Sequence, residues 1–356
     1  SIYDYRSCFD YLFRYVSIAE KNKLSFKENP QYLEAFVIYA EVQQELGRIE
    51  ESGLCFSKIV EELTDLTPTK MDYFQRAELL AQKVGDFPTL VYALMNRGLV
   101  EYFRGKLEGA KSFLLKAKEI AFEKNLKSYL ALITVNISQV YFESGEYEKA
   151  LDISKEAEEI SRQFGYRNHL VMSMSNRALY ETMLGKWDEA EKSVERALTS
   201  AQHYGMTYLI ATDFHIKSFL YLVNGKFSKS FFTQKLSFET YLKDNHLGEA
   251  IGSLSEIIAI SNQLSIPDLV SAILDENLNK LQKELENTSR TLTISFNANF
   301  AFHKYLSGEI DNYETEEKLE SILEKARESG ILWLVADVGN VLMKLHILNE
   351  NIKKAV

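Results

Sequence analysis

Apolar residues recur at i, i+3, i+4 and i+7 in blocks of about seventeen residues separated by short polar turns, and that period predicts amphipathic helices. The blocks are themselves repeated. Gly105, Gly145, Gly185 and Gly225 are each followed by one polar residue and then Leu107, Tyr147, Trp187 or Phe227. Three positions further on stand Ala110, Ala150, Ala190 and Ser230. Two more small-residue series, Ala77, Ala117, Ala157, Ala197 and Gly98, Ser138, Ala178, Ser218, keep the same 40-residue spacing. A second set of turns falls at Gly85, Asn125, Gly165, Gly205 and Asn245.

Each 40-residue unit therefore holds two helices. Gly or Asn after the last turn tolerates the left-handed backbone in which a helix stops and reverses. The small residues mark where two helices cross closely, because larger side chains would force the axes beyond about 8–10 Å. The expected fold is all-α, a right-handed solenoid of stacked antiparallel helix pairs, about eight of them with a broken last one. Three stretches are expected: irregular helix pairs over 1–85, regular repeats over 86–265 and divergent repeats over 266–356. Within the first, Gly47 and Gly85 end helices, and Thr67, Pro68 and Thr69 form a longer corner between helices at about 50–64 and 69–84. Within the last, Ser265 replaces the turn glycine, Pro267 opens a helix, and Gly308 and Gly330 continue the alternation.

The stretch Ala93 to Ala117 reads ALMNRGLVEYFRGKLEGAKSFLLKA, with Asn, a small residue, Gly, an apolar anchor, Ala and a second Ala in order. It resembles the tetratricopeptide pattern, and the resemblance returns from Val135 and from Ser175. Two departures are plain: the period is 40 residues and not about 34, and the proline that closes the second helix is missing. Long repeats of this kind are similar to those of kinesin light chains, bacterial quorum-peptide receptors and the sensor region of maltose-regulator-like ATPases. The resemblance implies a binding region with its ligand on the concave face.

That face is expected from the first helix of each unit. Asn96, Asn136 and Asn176 hold one slot in three successive repeats, and Asn299 takes it again later. An amide carries both donor and acceptor, so a ladder of them can pair with the backbone of an extended peptide. The resembling peptide receptors use the slot in that way. A second reading is that the amides bond to backbone and fix the stacking of repeats. Around them the face is expected to carry Tyr92, Met95, Leu99, Tyr102, Phe103, Leu132, Val135, Gln139, Phe142, Met172, Ser175, Leu179, Met183, His215 and Phe219. So apolar a lining suits a hydrophobic partner helix, an apolar peptide, a stacked sugar-like ligand or packing against a further domain. Arg97 and Arg177 follow two of the asparagines, either to receive a ligand carboxylate or to reach a nearby Glu.

Composition narrows the chemistry. A formal net charge of −10 argues against direct nucleic-acid binding and against anionic membrane surfaces. Cys8 and Cys55 make no disulfide framework and no metal spacing, and are expected as small buried residues. The six histidines are scattered along the chain, and no HExxH, phosphate loop, nucleophile elbow or dinucleotide fingerprint occurs. No enzyme, metal or cofactor is therefore expected. The acidic stretch Glu309–Glu328 reads as the solvated face of an outer helix. No apolar run approaches the ~20 residues of a membrane span and the first residues are too polar for a secretory signal, so a cytoplasmic setting is expected. A start at Ser1 and a stop within a helical pattern suggest a piece of a longer protein. The expected partner is a protein or peptide held in the groove. A small-molecule effector, within a larger signalling or transcription regulator, and a structural scaffold in a multiprotein assembly are the alternatives.

Overall fold

The computed structural model describes residues 5–24, 71–287, 290–329 and 332–350, with isolated positions between 32 and 58. Gly47, the corner at Thr67, Pro68 and Thr69, the helix at about 50–64 and Gly330 lie outside them. The described residues form helices and no strands. After α1 (Tyr5–Lys21) come α2 (Met71–Val84), α3 (Phe87–Phe103), α4 (Leu107–Glu123), α5 (Lys127–Glu143), α6 (Tyr147–Phe164), α7 (Arg167–Met183) and α8 (Trp187–Tyr204). They are followed by α9 (Thr207–Val223), α10 (Phe227–Lys243), α11 (Leu247–Leu264), α12 (Asp268–Asn287), α13 (Arg290–Leu306), α14 (Asn312–Ser329) and α15 (Leu332–Leu348).

The reversals are built as the repeat pattern implies. At the end of α5 the Gly145 N–H bonds to the Phe142 carbonyl at 2.9 Å and the Glu146 N–H to that of Tyr141 at 2.9 Å, the paired bonds of a Schellman stop. Gly145 sits at φ 75°, where a β-carbon would be strained. Asn125, Asn245 and Ser265 adopt the same hand at φ 57°, 60° and 54°. Helix α3 opens with Asp86, whose Oδ1 accepts the Thr89 N–H at 3.2 Å, and with Pro88 in the first turn.

Packing runs between consecutive helices. In the chain's first compact unit, Ser1–Tyr180, α3 packs on α4, α5 on α6, and α3 also touches α5. Its core includes Leu94, Leu114, Ile133 and Ile137, all 0–1% exposed, and each such burial contributes about 1.5–3 kcal/mol. In the second unit, Glu181–Val356, α9 packs on α10, α10 on α11, α13 on α14 and α14 on α15, while α11 and α15 both pack on α13. The division falls inside α7, within the regular repeats, so repeat regularity and compact packing divide the chain differently. The small-residue series lie where helices meet: Ala110, Ala150, Ala190 and Ser230 have no exposed surface. Ser218 and Ser230 approach until their hydroxyls are 3.0 Å apart. Such contact is available only to small side chains.

Candidate functional site

The first helices of the repeats in the first unit, α3, α5 and the part of α7 up to Tyr180, are linked through their own side chains. Tyr92 on α3 meets Tyr129 on α5 edge to face at 6.3 Å. Phe142 on α5 stacks on Tyr180 of α7 at 5.0 Å, and the Tyr180 hydroxyl lies 3.2 Å from that of Ser138. Tyr102 on α3 directs its hydroxyl to Glu143 on α5 at 3.5 Å. Burial, and then the Glu143 charge, push the Tyr102 phenol up to about 12. At the end of α3 the Phe103 ring, 67% exposed, meets that of Tyr102 edge to face at 5.2 Å.

The asparagine slot is less uniform than its sequence. Asn96 is buried and donates its amide to the Tyr92 carbonyl at 2.9 Å, one turn back on its own helix. Asn136 is 8% exposed. Asn176 is half-buried, and its Nδ2 is enclosed without a hydrogen-bond partner. Asn299, in the second unit, donates to Ser255 Oγ at 3.2 Å and receives the Asn262 amide on its carbonyl at 2.8 Å. In that repeat the slot serves stacking.

Of the other expected face residues, Tyr92, Leu99, Tyr102, Leu132, Gln139, Phe142, Met172 and Leu179 are half-buried. Met95, Val135 and Ser175 are 0–3% exposed and belong to the interior, a correction to the expected face. They sit one position short of the asparagine slot, and about 100° of helix rotation turns them toward the paired helix. Met183 is half-exposed and, with His215 and Phe219 of α9, belongs to the second unit. His215 meets Glu256 of α11 at 3.0 Å and Gln234 of α10 at 3.3 Å. The Glu256 charge raises its pKa, and burial opposes that shift.

Arg97 and Arg177 both reach a glutamate on the preceding helix. Arg97 pairs with Glu78 on α2 and lies 4.3 Å over the Phe113 ring. Arg177 reaches Glu158 on α6 at 3.4 Å. The acidic face of α14 is solvated and laced with pairs such as Lys318–Glu314 at 2.6 Å. Cys55 is half-buried, not fully enclosed as expected, and its sulfur receives the Gln43 amide at 3.4 Å. The side chain of Cys8 lies outside the described residues. Among the described residues no group of three or more His, Cys, Asp or Glu is placed to hold a metal ion, and no helix is long and apolar enough to cross a membrane.

Glu143, at the exposed end of α5, and Ser138 and Tyr180, buried between α5 and α7, take part in the contacts among α3, α5 and α7 without being among the expected face residues. Ser138 was visible only as a member of a small-residue series. Tyr180 falls where the preceding repeats carry Val100 and Val140, so no repeat signal singled it out. An apolar recess of about 540 Å³ also opens in this unit, between α4, α5 and α6, with Phe122 74% exposed on its wall.

Paired helices of this length, stopped by left-handed residues every 40 positions, define a tetratricopeptide-like helical repeat solenoid. The tetratricopeptide repeat profile matches residues 89–163 and, one repeat on, 129–203. The apo quorum sensor NprR from B. thuringiensis is similar in structure, with a TM-score of 0.64 at 13% identity over 99% of this chain and 96% of that one. So is aspartyl phosphate phosphatase F from Bacillus subtilis, at 0.63 and 17% over 100% and 92%. A Rap protein complexed with competence and sporulation factor gives 0.56 and 14% over 99% of each chain. Likeness at such identity is one of fold. No curated protein matches the sequence.

Proposed function

We propose that this chain is a non-enzymatic interaction module that binds an extended peptide or a helix of a partner protein along α3, α5 and α7. The observation that carries the reading is Asn176 Nδ2, an enclosed amide donor with no partner, in a slot that Asn136 fills one repeat earlier. An enclosed donor without a partner is costly unless a ligand acceptor completes it. Gln139 and the half-buried rings of Tyr102 and Phe142 supply a further amide and apolar area on the same helices. Asn96, already bonded to its own helix, positions the end of the row. The Rap protein is described in complex with competence and sporulation factor and NprR as a quorum sensor, which supports a binding role for these helices. The phosphatase name of a third neighbour raises the opposite reading; among the described residues no three His, Cys, Asp or Glu gather where they could hold a metal ion.

The test is capture of partners from cell extract by the wild-type chain and by the Asn136→Ala/Asn176→Ala double variant, matched for helicity and melting temperature. A peptide or protein held by the first and lost by the second supports the groove. Equal retention by both moves binding to another surface. No partner at all leaves the small-effector reading in its place.

A further inference from the structure

In the second unit, α12, α13 and the turn after α13 surround a cavity of about 270 Å³ that shares no residue with the face described above. His303 forms part of its wall, is only 2% exposed, and holds its Nδ1 buried without a hydrogen-bond partner. Burial lowers the pKa of this imidazole, so at neutral pH it is uncharged and offers a nitrogen as acceptor. The His303 ring lies nearly parallel to that of Phe300, a second wall residue, at 6.3 Å. Asp275 and Glu309 stand exposed at the rim, and Ser271 spends its hydroxyl proton on the Pro267 carbonyl at 3.3 Å, leaving its oxygen as an acceptor.

Of the uncharged and anionic polar lining residues, Ser271, Asp275, His303 and Glu309 offer acceptors and Asn279 an amide with both donor and acceptor. Lys304 is the one cation among the lining residues, and its ammonium stands 4.9 Å from the Phe300 centroid and 3.8 Å from Glu309. The carboxylates and the imidazole do not converge on one point as metal ligands would. The volume falls just below the ~300 Å³ of ordinary small-molecule pockets, which suits a compact polyatomic ion.

We infer that this cavity binds a small organic cation with several N–H donors, an alkylammonium or alkylguanidinium, which reaches His303, Asp275 and Glu309 while its stem lies along Phe300. A guanidinium brings five donors and a flat face suited to the ring. A free amine and the side chain of a Lys or Arg in another protein share that chemistry, and the experiment separates them.

Calorimetric titration of the full chain with agmatine, tetramethylammonium and acetyl-Gly-Arg-Gly-amide, paired with ¹⁵N NMR of the His303 ring, tests the assignment. Expected are one agmatine per chain with displaced His303 resonances, and at least tenfold weaker binding of tetramethylammonium, which has the charge but no N–H. The rim double variant Asp275→Asn/Glu309→Gln is expected to weaken agmatine at least tenfold at an unchanged melting temperature. Non-saturable agmatine binding, equal binding of tetramethylammonium, or indifference to the rim variant overturns the site. Should the rim variant unfold, unmoved His303 resonances in the saturated wild type overturn it equally. Binding of the arginine peptide without agmatine transfers the cation to a partner protein and defeats the free-amine assignment.

Discussion

A β-carbon placed on Gly98 of α3 would stand 2.8 Å from Cγ of Leu114 on α4 and 3.3 Å from the Ala110 carbonyl oxygen. Leu114 has no exposed surface, and its Cγ is a branch point that cannot swing aside as a chain end would. Gly98→Ala gains up to about 1 kcal/mol of helix propensity and loses about 1–3 kcal/mol to overpacking, so net destabilisation is expected. Gly339 on α15 has nothing within 4 Å of the same position, and Gly339→Ala is expected to stabilise by up to about 1 kcal/mol. Urea unfolding of both variants checks the pair. A gain at Gly98 would mean that α3 and α4 do not cross tightly there.

That crossing was legible in the sequence, since Gly98 belongs to a 40-residue series of small residues and the turn glycines set its register. Stops and crossings depend on single residues with special backbone or size, so periodicity exposes them. Ion pairs were not legible in that way. Glu78 with Arg97, and Glu158 with Arg177, join neighbouring repeats at a separation of 19 residues and return only after 80, in every second repeat. The intervening repeat has Ile137 in the arginine slot, so a search at the single period does not reveal them. The inner face was legible in part: the slots of Tyr92, Gln139 and Leu179 came out half-open, whereas Met95 and Val135 did not, because one position of helical rotation separates face from interior. The His303 cavity lies between α12 and α13, outside the regular repeats, where the spacing no longer fixes the register.

Asn96 and Asn176 occupy one slot but are expected to respond oppositely. Asn96→Ala removes a buried side chain that bonds to the Tyr92 carbonyl, at a cost of about 1 kcal/mol. Asn176→Ala removes an enclosed donor that had no partner, so stability is expected to stay within about 0.5 kcal/mol while affinity for the captured peptide falls about tenfold. Thermal unfolding beside a titration of that peptide distinguishes the two. Equal destabilisation by both variants, with affinity intact, would make the slot purely structural.

Arg97→Ala is expected to destabilise by about 2 kcal/mol, because Glu78 is 10% exposed on its side chain and would retain only the half-exposed Lys116 at 3.1 Å. Arg177→Ala is expected to cost about 1 kcal/mol or less, since Glu158 keeps Arg162 at 2.7 Å. Peptide affinity is expected to change in neither. A loss of affinity without loss of stability would instead give these arginines to a ligand carboxylate. Denaturant midpoints and the same titration decide.

The contact of His215 with Glu256 makes the second unit pH-responsive in a known direction. Glu256 raises the folded-state pKa of His215 above the ordinary value of 6.5. The resulting stabilisation is therefore complete below the unfolded-state pKa and disappears as pH rises through the folded-state value. Glu256→Gln removes the charge, so the melting temperature of wild type minus that of the variant is expected to be positive near about pH 6 and to shrink toward zero by about pH 9. Whole-protein melting against pH would not isolate this, because burial depresses the pKa of both His169 and His303, whose contributions are lost as pH falls. Those histidines are unchanged in the variant and cancel in the difference. Glu256 Oε2 and the Gln234 amide nitrogen both lie against Nδ1, at 3.0 Å and 3.3 Å, and the proton there belongs to the carboxylate contact. A difference that stays constant across the range would show that His215 and Glu256 meet through a neutral hydrogen bond and that charge plays no part.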